Sequence, residues 1–463
     1  MTRRLFFAVV SLAVLLVGTP ASAQTGVGSA NMRHVAHLAY EKRWQQKTSF
    51  GTDIEFARLG GRSYALAGTY RNGLQIIDIT NPRRPSITGV YDCGIAQGDV
   101  QVFHRGSRTF VTYTADGSAT NTFPDSRCYR DAGIRRKAYG TFIVDVTNPR
   151  RPATAGFVEV TQGSHNQSVH PGGRYMYNSN SDRAYPSAIE IIDLSSIRHP
   201  VILKELPLST GVESHDITFS TDGKRAYAAA LTHTLILDTT DPADPKIIGR
   251  IIDPAVNIHH QADPITLDDP VLGESTFLVV TDETNGAAGN GFCPGGGLHV
   301  YDVTGELERT PVKVGFWAIP EVRPALSKAL RCTSHVLRFY PERKLMTIAW
   351  YSAGVRVVDV SGLAGVSAGA LAQAGNVGPG MREIGYYALP DSDTWSAKTN
   401  RVEADGSFYL YGNDVERGLD VYRFDASMPV SPFPGTWLTP SQAAGRATAI
   451  DPTFAPACVL FSR

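Results

Sequence analysis

The sequence predicts an all-β chain: a seven-bladed β-propeller of four-stranded blades, closed by an N-terminal strand in the last blade. Three observations predict it. First, a short apolar segment ending in Asp recurs seven times. The copies are "GLQIIDITNPRRP" from Gly73, "GTFIVDVTNPRRP" from Gly140, "AIEIIDLSSIRHP" from Ala188, "TLILDTTDPADP" from Thr234, "GLHVYDVTGELERTP" from Gly297, "GVRVVDVSG" from Gly354 and a looser "GLDVYRFD" from Gly418. Second, each copy sits among four short apolar runs separated by Gly, Pro and Asp turns, the signature of short strands. Third, four-strand units repeated this often bury their faces against one another in a ring.

The elements follow in chain order. Arg3 and Arg4 precede an apolar run from Leu5 to Val17, and Ala21-Ser22-Ala23 precede Gln24. A charged start, apolar middle and small-residue end make a cleavable signal peptide over residues 1–23, of general secretory or twin-arginine type. The run is too short for a membrane span, so a secreted or periplasmic chain is expected. The propeller is assigned to residues 24–425. Each unit has an inner strand ("HDITFS"), a turn ("TDGKR"), a second strand ("AYAAAL"), the Asp-ended third strand, a Pro corner and a fourth strand ("SITGVYD", "ATAGFVEV"). The last unit has "TWSAKT", "SFYLYG" and "LDVYRF" but no fourth strand. "RHVAHLAY", residues 33–40, resembles the fourth strands and is expected to complete blade seven. Residues 426–463, rich in Pro and Gly, are expected to form an irregular extension packed on the propeller.

The repeat aspartates Asp78, Asp145, Asp193, Asp238, Asp302 and Asp359 recur at one corner per blade. A carboxylate there accepts backbone N–H groups and holds the turn, which makes these residues structural. The apolar-D-x-[TS]-x-P units resemble the LVIVD-repeat family of secreted bacterial proteins, over roughly residues 33–425. The resemblance implies a propeller and little about activity, because propellers host many functions. The seventh copy departs from the pattern, with Arg423 and Phe424 inserted before Asp425.

Composition narrows the partners. The 44 basic and 44 acidic residues cancel, and no basic stripe with interleaved aromatics is present, so nucleic acid is excluded as a partner. A monomer with no membrane span is expected, acting on a small molecule or on an envelope or extracellular partner. Two long loops, residues 114–140 and 281–297, lie at one face of the disc, the top. Each holds a cysteine facing a blade junction that holds another. Disulfides Cys93–Cys128 and Cys293–Cys332 are therefore expected, with Cys458 left over.

Histidines form the candidate site. Aligning the inner strands places His165 ("SHNQSV"), His215 ("SHDITF"), His259 and His260 ("IHHQAD") and His335 ("SHVLRF") in one column, across four consecutive blades. Asp99 ("GDVQVF") and Asp53 ("TDIEFA") fall in the same column, and so does Trp395. Strand neighbours point to opposite faces, so Ser214, His215 and Asp216 do not converge as a hydrolytic triad. Imidazoles from neighbouring blades can converge at the top mouth of the central channel. That pattern suits a transition metal (Cu, Zn or Fe) held by His165, His215, His260 and His335. His259, Asp99 and Asp53 would add a ligand or orient one. Such a centre could serve an oxidase or a hydrolase. Two other readings stay open: the histidines bond the neighbouring blade's backbone, or they line a metal-free pocket. In the alternative function, a non-enzymatic propeller presents its long top loops to a partner.

Overall fold

The computed structural model describes residues 26–41, 43, 48–117, 123–160, 162–180, 187–209, 212–269, 273–283, 292–293, 296–319, 321–324, 332–366, 379–430 and 436–437. The signal-peptide segment, Cys458 and nearly all of the C-terminal extension lie outside these residues. Seven antiparallel sheets carry the blades, with strands in sequence order from the inside outward except in blade seven, whose outer strand comes from the N-terminus. Blade one is Gly51–Leu59, Arg62–Thr69, Leu74–Asp78 and Ser86–Tyr91; blade four is Asp216–Phe219, Arg225–Ala229, Thr234–Asp238 and Lys246–Ile251. No described helix is long and apolar enough to cross a membrane.

The third strands explain the motif. In "LQIID" the first four residues are fully buried, because a mid-blade strand is covered on both faces by neighbouring blades and so reads as a continuous apolar run. The outer strands alternate instead, as in the exposed–half-buried pattern of Val201–Pro207. The fourth strands of blades one, two and four also carry a glycine, Gly89, Gly156 and Gly249, where the next blade's corner comes close. A Cβ on Gly156 would lie 1.9 Å from the Ile197 carbonyl oxygen, and one on Gly249 2.0 Å from that of Glu308. Only a residue without a side chain admits that approach.

The aspartate corners are as expected. The Thr80 amide donates to Asp78 Oδ1 (2.9 Å), Thr147 to Asp145 (2.8 Å), Ser195 to Asp193 (2.7 Å), Thr240 to Asp238 (3.0 Å), Thr304 to Asp302 (2.9 Å) and Ser361 to Asp359 (2.9 Å). Blade seven resolves its own departure. Its third strand, Gly418–Phe424, has seven residues rather than five, and Asp425 takes the corner by accepting the Ser427 amide (3.1 Å). Replacing Asp145 by Ala is expected to cost about 1 kcal/mol in urea unfolding, the worth of a partly exposed hydrogen bond.

Closure is also as expected. Met32–Leu38 pairs with Gly418–Phe424 as the fourth strand of blade seven, from Met32 opposite Phe424 to Leu38 opposite Leu419. A further strand, Val27–Gly28, adds to the outer edge of blade six opposite Ala388 and Tyr387. Sequence reasoning missed it, because two residues carry no periodicity. In the extension, where residues 426–430 and 436–437 are described, Thr436–Trp437 pairs with Glu321–Pro324.

Cys93 and Cys128 are joined, 35 residues apart. Cys332 is also disulfide-bonded; the side chain of its expected partner, Cys293, lies outside the described residues. The first bridge draws the long blade-two loop inward. The loop forms a short helix, Arg127–Asp131, and buries Cys128 and Tyr129 in the core shared by blades one and two. Replacing Cys93 and Cys128 together by Ala is expected to cost about 3–4 kcal/mol for a loop of this length, read as a lower denaturant midpoint.

Candidate metal centre in the central channel

The four predicted histidines stand at the N-terminal ends of the inner strands of blades three to six, and they meet. Ring centroids are 4.3 Å apart for His165 and His215, 4.4 Å for His215 and His260, and 4.3 Å for His260 and His335. The arc continues to Tyr351 (4.5 Å) and Trp395 (4.7 Å). All four imidazoles are at most 2% exposed.

Backbone pairing explains the arc. The amides of His165, His215 and His335 each donate to the last carbonyl of the second strand: Ser179 (2.8 Å), Ala229 (2.7 Å) and Ala349 (3.1 Å). Equivalent backbone positions in a ring aim their side chains equivalently. Residue 260 occupies this column, because Gln261 pairs with Thr281 as Asp216 pairs with Ala229. His259 turns away, with Nδ1 2.8 Å from Thr234 Oγ1. Burial, and His233 beside it, push His259 down to about 3.

The same register corrects the placement of Asp53 and Asp99. Ile54 pairs with Ala67 and Val100 with Tyr113. This puts Asp53 and Asp99 level with Asp216, one residue beyond the histidine column. Bulges at Gly51/Ile54 and Gln97/Val100 mask the slip in the sequence, and one residue of slip sends a side chain to the other face. The structure places Asp53 on Lys398 (2.7 Å) and Asp99 on Gln167 (3.3 Å).

The carboxylates beside the histidines come from elsewhere: Asp116, Glu213 and Glu283, all at most 2% exposed. Sequence reasoning missed all three. Asp116 and Glu283 immediately follow second strands, and Glu213 stands two residues before His215, a spacing that could have drawn notice. Two groups of three have donor atoms within 4.8 Å of one another: His165, Glu213 and His215, and His215, His260 and Glu283. His215 belongs to both.

Hydrogen bonds set the tautomers. His215 Nδ1 lies 3.2 Å from the His260 carbonyl oxygen and His335 Nδ1 2.6 Å from that of Trp395. His165 Nδ1 lies 2.8 Å from Asp116 Oδ2. A carbonyl or carboxylate only accepts, so Nδ1 carries the proton and Nε2 keeps its lone pair for a ligand. Since His215 has only Nε2 to offer, it could serve an ion in one group or the other but not one in each. Glu283 faces His335 Nε2 at 3.4 Å and His260 Nε2 at 3.6 Å, and the Tyr351 hydroxyl donates to it (2.7 Å). Tyr351 and Gln97, whose Nε2 is 3.2 Å from His165 Nε2, both adopt left-handed backbone (φ 43° and 72°). Such strain in non-glycine residues gathers where a site demands it. Burial would lower His165, but Asp116 outweighs it and lifts the imidazole to about 9, so a ligand at its Nε2 would have to displace a proton. His260 is held well below its usual range by burial and by His335 and His165.

Below the arc lies a cavity of about 380 Å³, lined near the histidines by His260, His335 and Trp395. Its rim is Pro171, Thr221 and Pro341, exposed residues of the bottom turns. The space that reaches the histidines thus opens at the face opposite the long loops. Its wall holds a buried ion cluster. Lys398 Nζ contacts Asp53 (2.7 Å) and Glu55 (3.0 Å), and Arg338 Nη1 donates to Glu55 (2.9 Å). Burial alone would raise Glu55, yet Arg338 and Lys398 hold it at about 2. Its contribution to stability is therefore full above the ordinary Glu pKa of about 4.3 and is lost as pH falls through about 2. Lys398→Met strands carboxylates in the wall and is expected to cost about 3–5 kcal/mol, measured by urea unfolding at neutral pH.

The remaining histidines have local partners. His34 and His37 contact Asp420 (2.7 and 3.1 Å), and His170 Nε2 lies 3.0 Å from the Gly223 carbonyl oxygen.

Fold and site define a seven-bladed β-propeller with a histidine arc across its central channel. Residues 63–93 match the LVIVD repeat. No curated protein matches the sequence. Among solved structures, the periplasmic gluconolactonase of Pseudomonas aeruginosa is similar at 10% identity and a TM-score of 0.52, over 78% of this chain and 99% of that one. The β-propeller domain of Myceliophteria thermophila Cps50 (Swd1) is similar at 10% identity and a TM-score of 0.47, over 81% and 96%. At 10% identity the likeness to the gluconolactonase shows the fold alone.

Proposed function

We propose that this chain is a secreted metalloprotein that acts on a small polar molecule at a transition metal held across the central channel. His215, His260 and His335 supply Nε2 donors, Glu283 supplies oxygen, and His165 and Glu213 complete the set on the blade-three side. The observation that carries the reading is the convergence of buried imidazoles and carboxylates on His215. Nitrogen-rich sets with carboxylate oxygen suit Zn, Fe or Cu. Such a metal would act there as a Lewis acid or a redox centre. The chain's own residues orient the ligands, exclude water from above and leave the cavity as the approach. The signal-like segment over residues 1–23 and the likeness to a periplasmic protein support export.

Elemental analysis of protein purified without a histidine tag tests the reading. About one metal per chain is expected. Zinc would favour hydrolysis, and copper or iron oxidation. Folded protein that takes up none of the three would sink it.

A further inference from the structure

The channel wall has an uneven charge balance. Its two cations, Lys398 and Arg338, are matched by two carboxylates, Asp53 and Glu55. Three further carboxylates, Asp99, Asp216 and Asp263, line the same cavity. None has a cation at ion-pair distance among the described residues. Asp99 meets the Gln167 amide, Asp216 its neighbour's backbone N–H and Asp263 the Gln261 amide (3.1 Å). They come from blades two, four and five, and so stand at separate points around the channel. Among the described residues, no group of donor atoms close enough to hold one metal ion includes any of them. Gln97 also lines the cavity, is 3% exposed, and has an Oε1 with no hydrogen-bond partner among the described residues. That buried acceptor is open to a donor in the cavity.

We propose that the cavity binds a small aliphatic di- or polyamine, with its ammonium groups on these carboxylates. A single ion cannot reach three separated carboxylates, whereas an extended cation carries its charges apart. Gln97 Oε1 accepts from an ammonium N–H. Trp395, at the histidine end of the cavity, offers an aromatic surface to methylenes or to a cation. As a binding site this stands without the metal; as the site of the substrate it rests on the function proposed above.

Isothermal titration of the full chain with 1,4-diaminobutane tests it, first after chelator treatment and then after metal loading. One diamine per chain is expected in both, weakening as salt rises. Asp99→Asn and Asp263→Asn should each weaken binding about tenfold or more with metal content unchanged. 1,4-Butanediol should not bind. Failure of the diamine to bind, equal binding of the diol, or affinity unchanged in both variants overturns the proposal. So does calcium chloride, if it binds one to one and excludes the diamine. The wild-type comparison of diamine with diol decides the matter even if a variant fails to fold. Diamine binding to a protein that never holds metal leaves this site standing and removes the metal reading. Metal at the histidines without diamine binding does the reverse.

Discussion

His215→Ala should strip the metal from the protein, with affinity falling about 100-fold or more. His215 is the one residue common to both donor groups, so its loss leaves neither complete. A four-ligand zinc site is worth about 10–16 kcal/mol, or about 3 kcal/mol per ligand, and that is roughly 100-fold. His335→Ala should act in the same direction. His259→Ala is the control: its ring bonds Thr234 and faces away from the arc, so metal content should stay at the wild-type level. Elemental analysis of the three variants, beside metal titrations of chelator-treated protein, reads the result. Equal loss in His259→Ala and His215→Ala would mean general unfolding rather than ligand removal. Metal should also raise the melting temperature of the wild type, because a ligand at 100 times its Kd stabilises the folded state by about 2.7 kcal/mol. That rise should vanish in His215→Ala.

Deleting the residues before position 41 should leave the propeller largely unfolded. Met32–Leu38 supplies the outer strand of blade seven, and without it Gly418–Phe424 becomes a bare edge. Leu419, Val421 and Phe424, now at most 3% exposed, would lose their cover. So would Asp420, which His34 and His37 contact (2.7 and 3.1 Å). Asn31 adds a tie to blade six through the Ile384 carbonyl (2.7 Å). Several ladder hydrogen bonds at about 1 kcal/mol each, with burial of Met32 and Tyr40 at about 2–3 kcal/mol each, approach 10 kcal/mol. Total stability for a domain is about 5–15 kcal/mol. Reattaching residues 26–41 behind residue 430 through a flexible linker should restore cooperative thermal unfolding, since pairing and not chain order closes the ring. A truncated chain that melts as the wild type does would refute this account.

Local physics made much of the fold legible. The buried third strands and the Asp corners recur with a repeat of some fifty residues, and the fourth-strand glycines recur in several blades, so each leaves a local mark. The missing fourth strand of blade seven and the spare strand near the N-terminus fit only if the ring closes. The pairing of Cys93 with Cys128 followed from topology, because both ends lie at the top of adjacent blades. The histidine column was legible because four blades repeat one position, and nothing else in the sequence joins residues so far apart.

By itself, then, the sequence determined the blade count, the closing strand, the corner aspartates and three of the four histidines, His165, His215 and His335. Tertiary structure alone decided which of His259 and His260 faces the arc, and it moved Asp53 and Asp99 off it. The physical reason is register: a bulge shifts a strand by one residue without altering its composition, and one residue reverses the face. Tertiary structure also brought in Asp116, Glu213 and Glu283, which belong to no repeat position. It opened the cavity at the bottom face, where three unmatched carboxylates from separate blades share one space. Convergence of that kind depends on how the blades close around the axis, and no single stretch of chain records it.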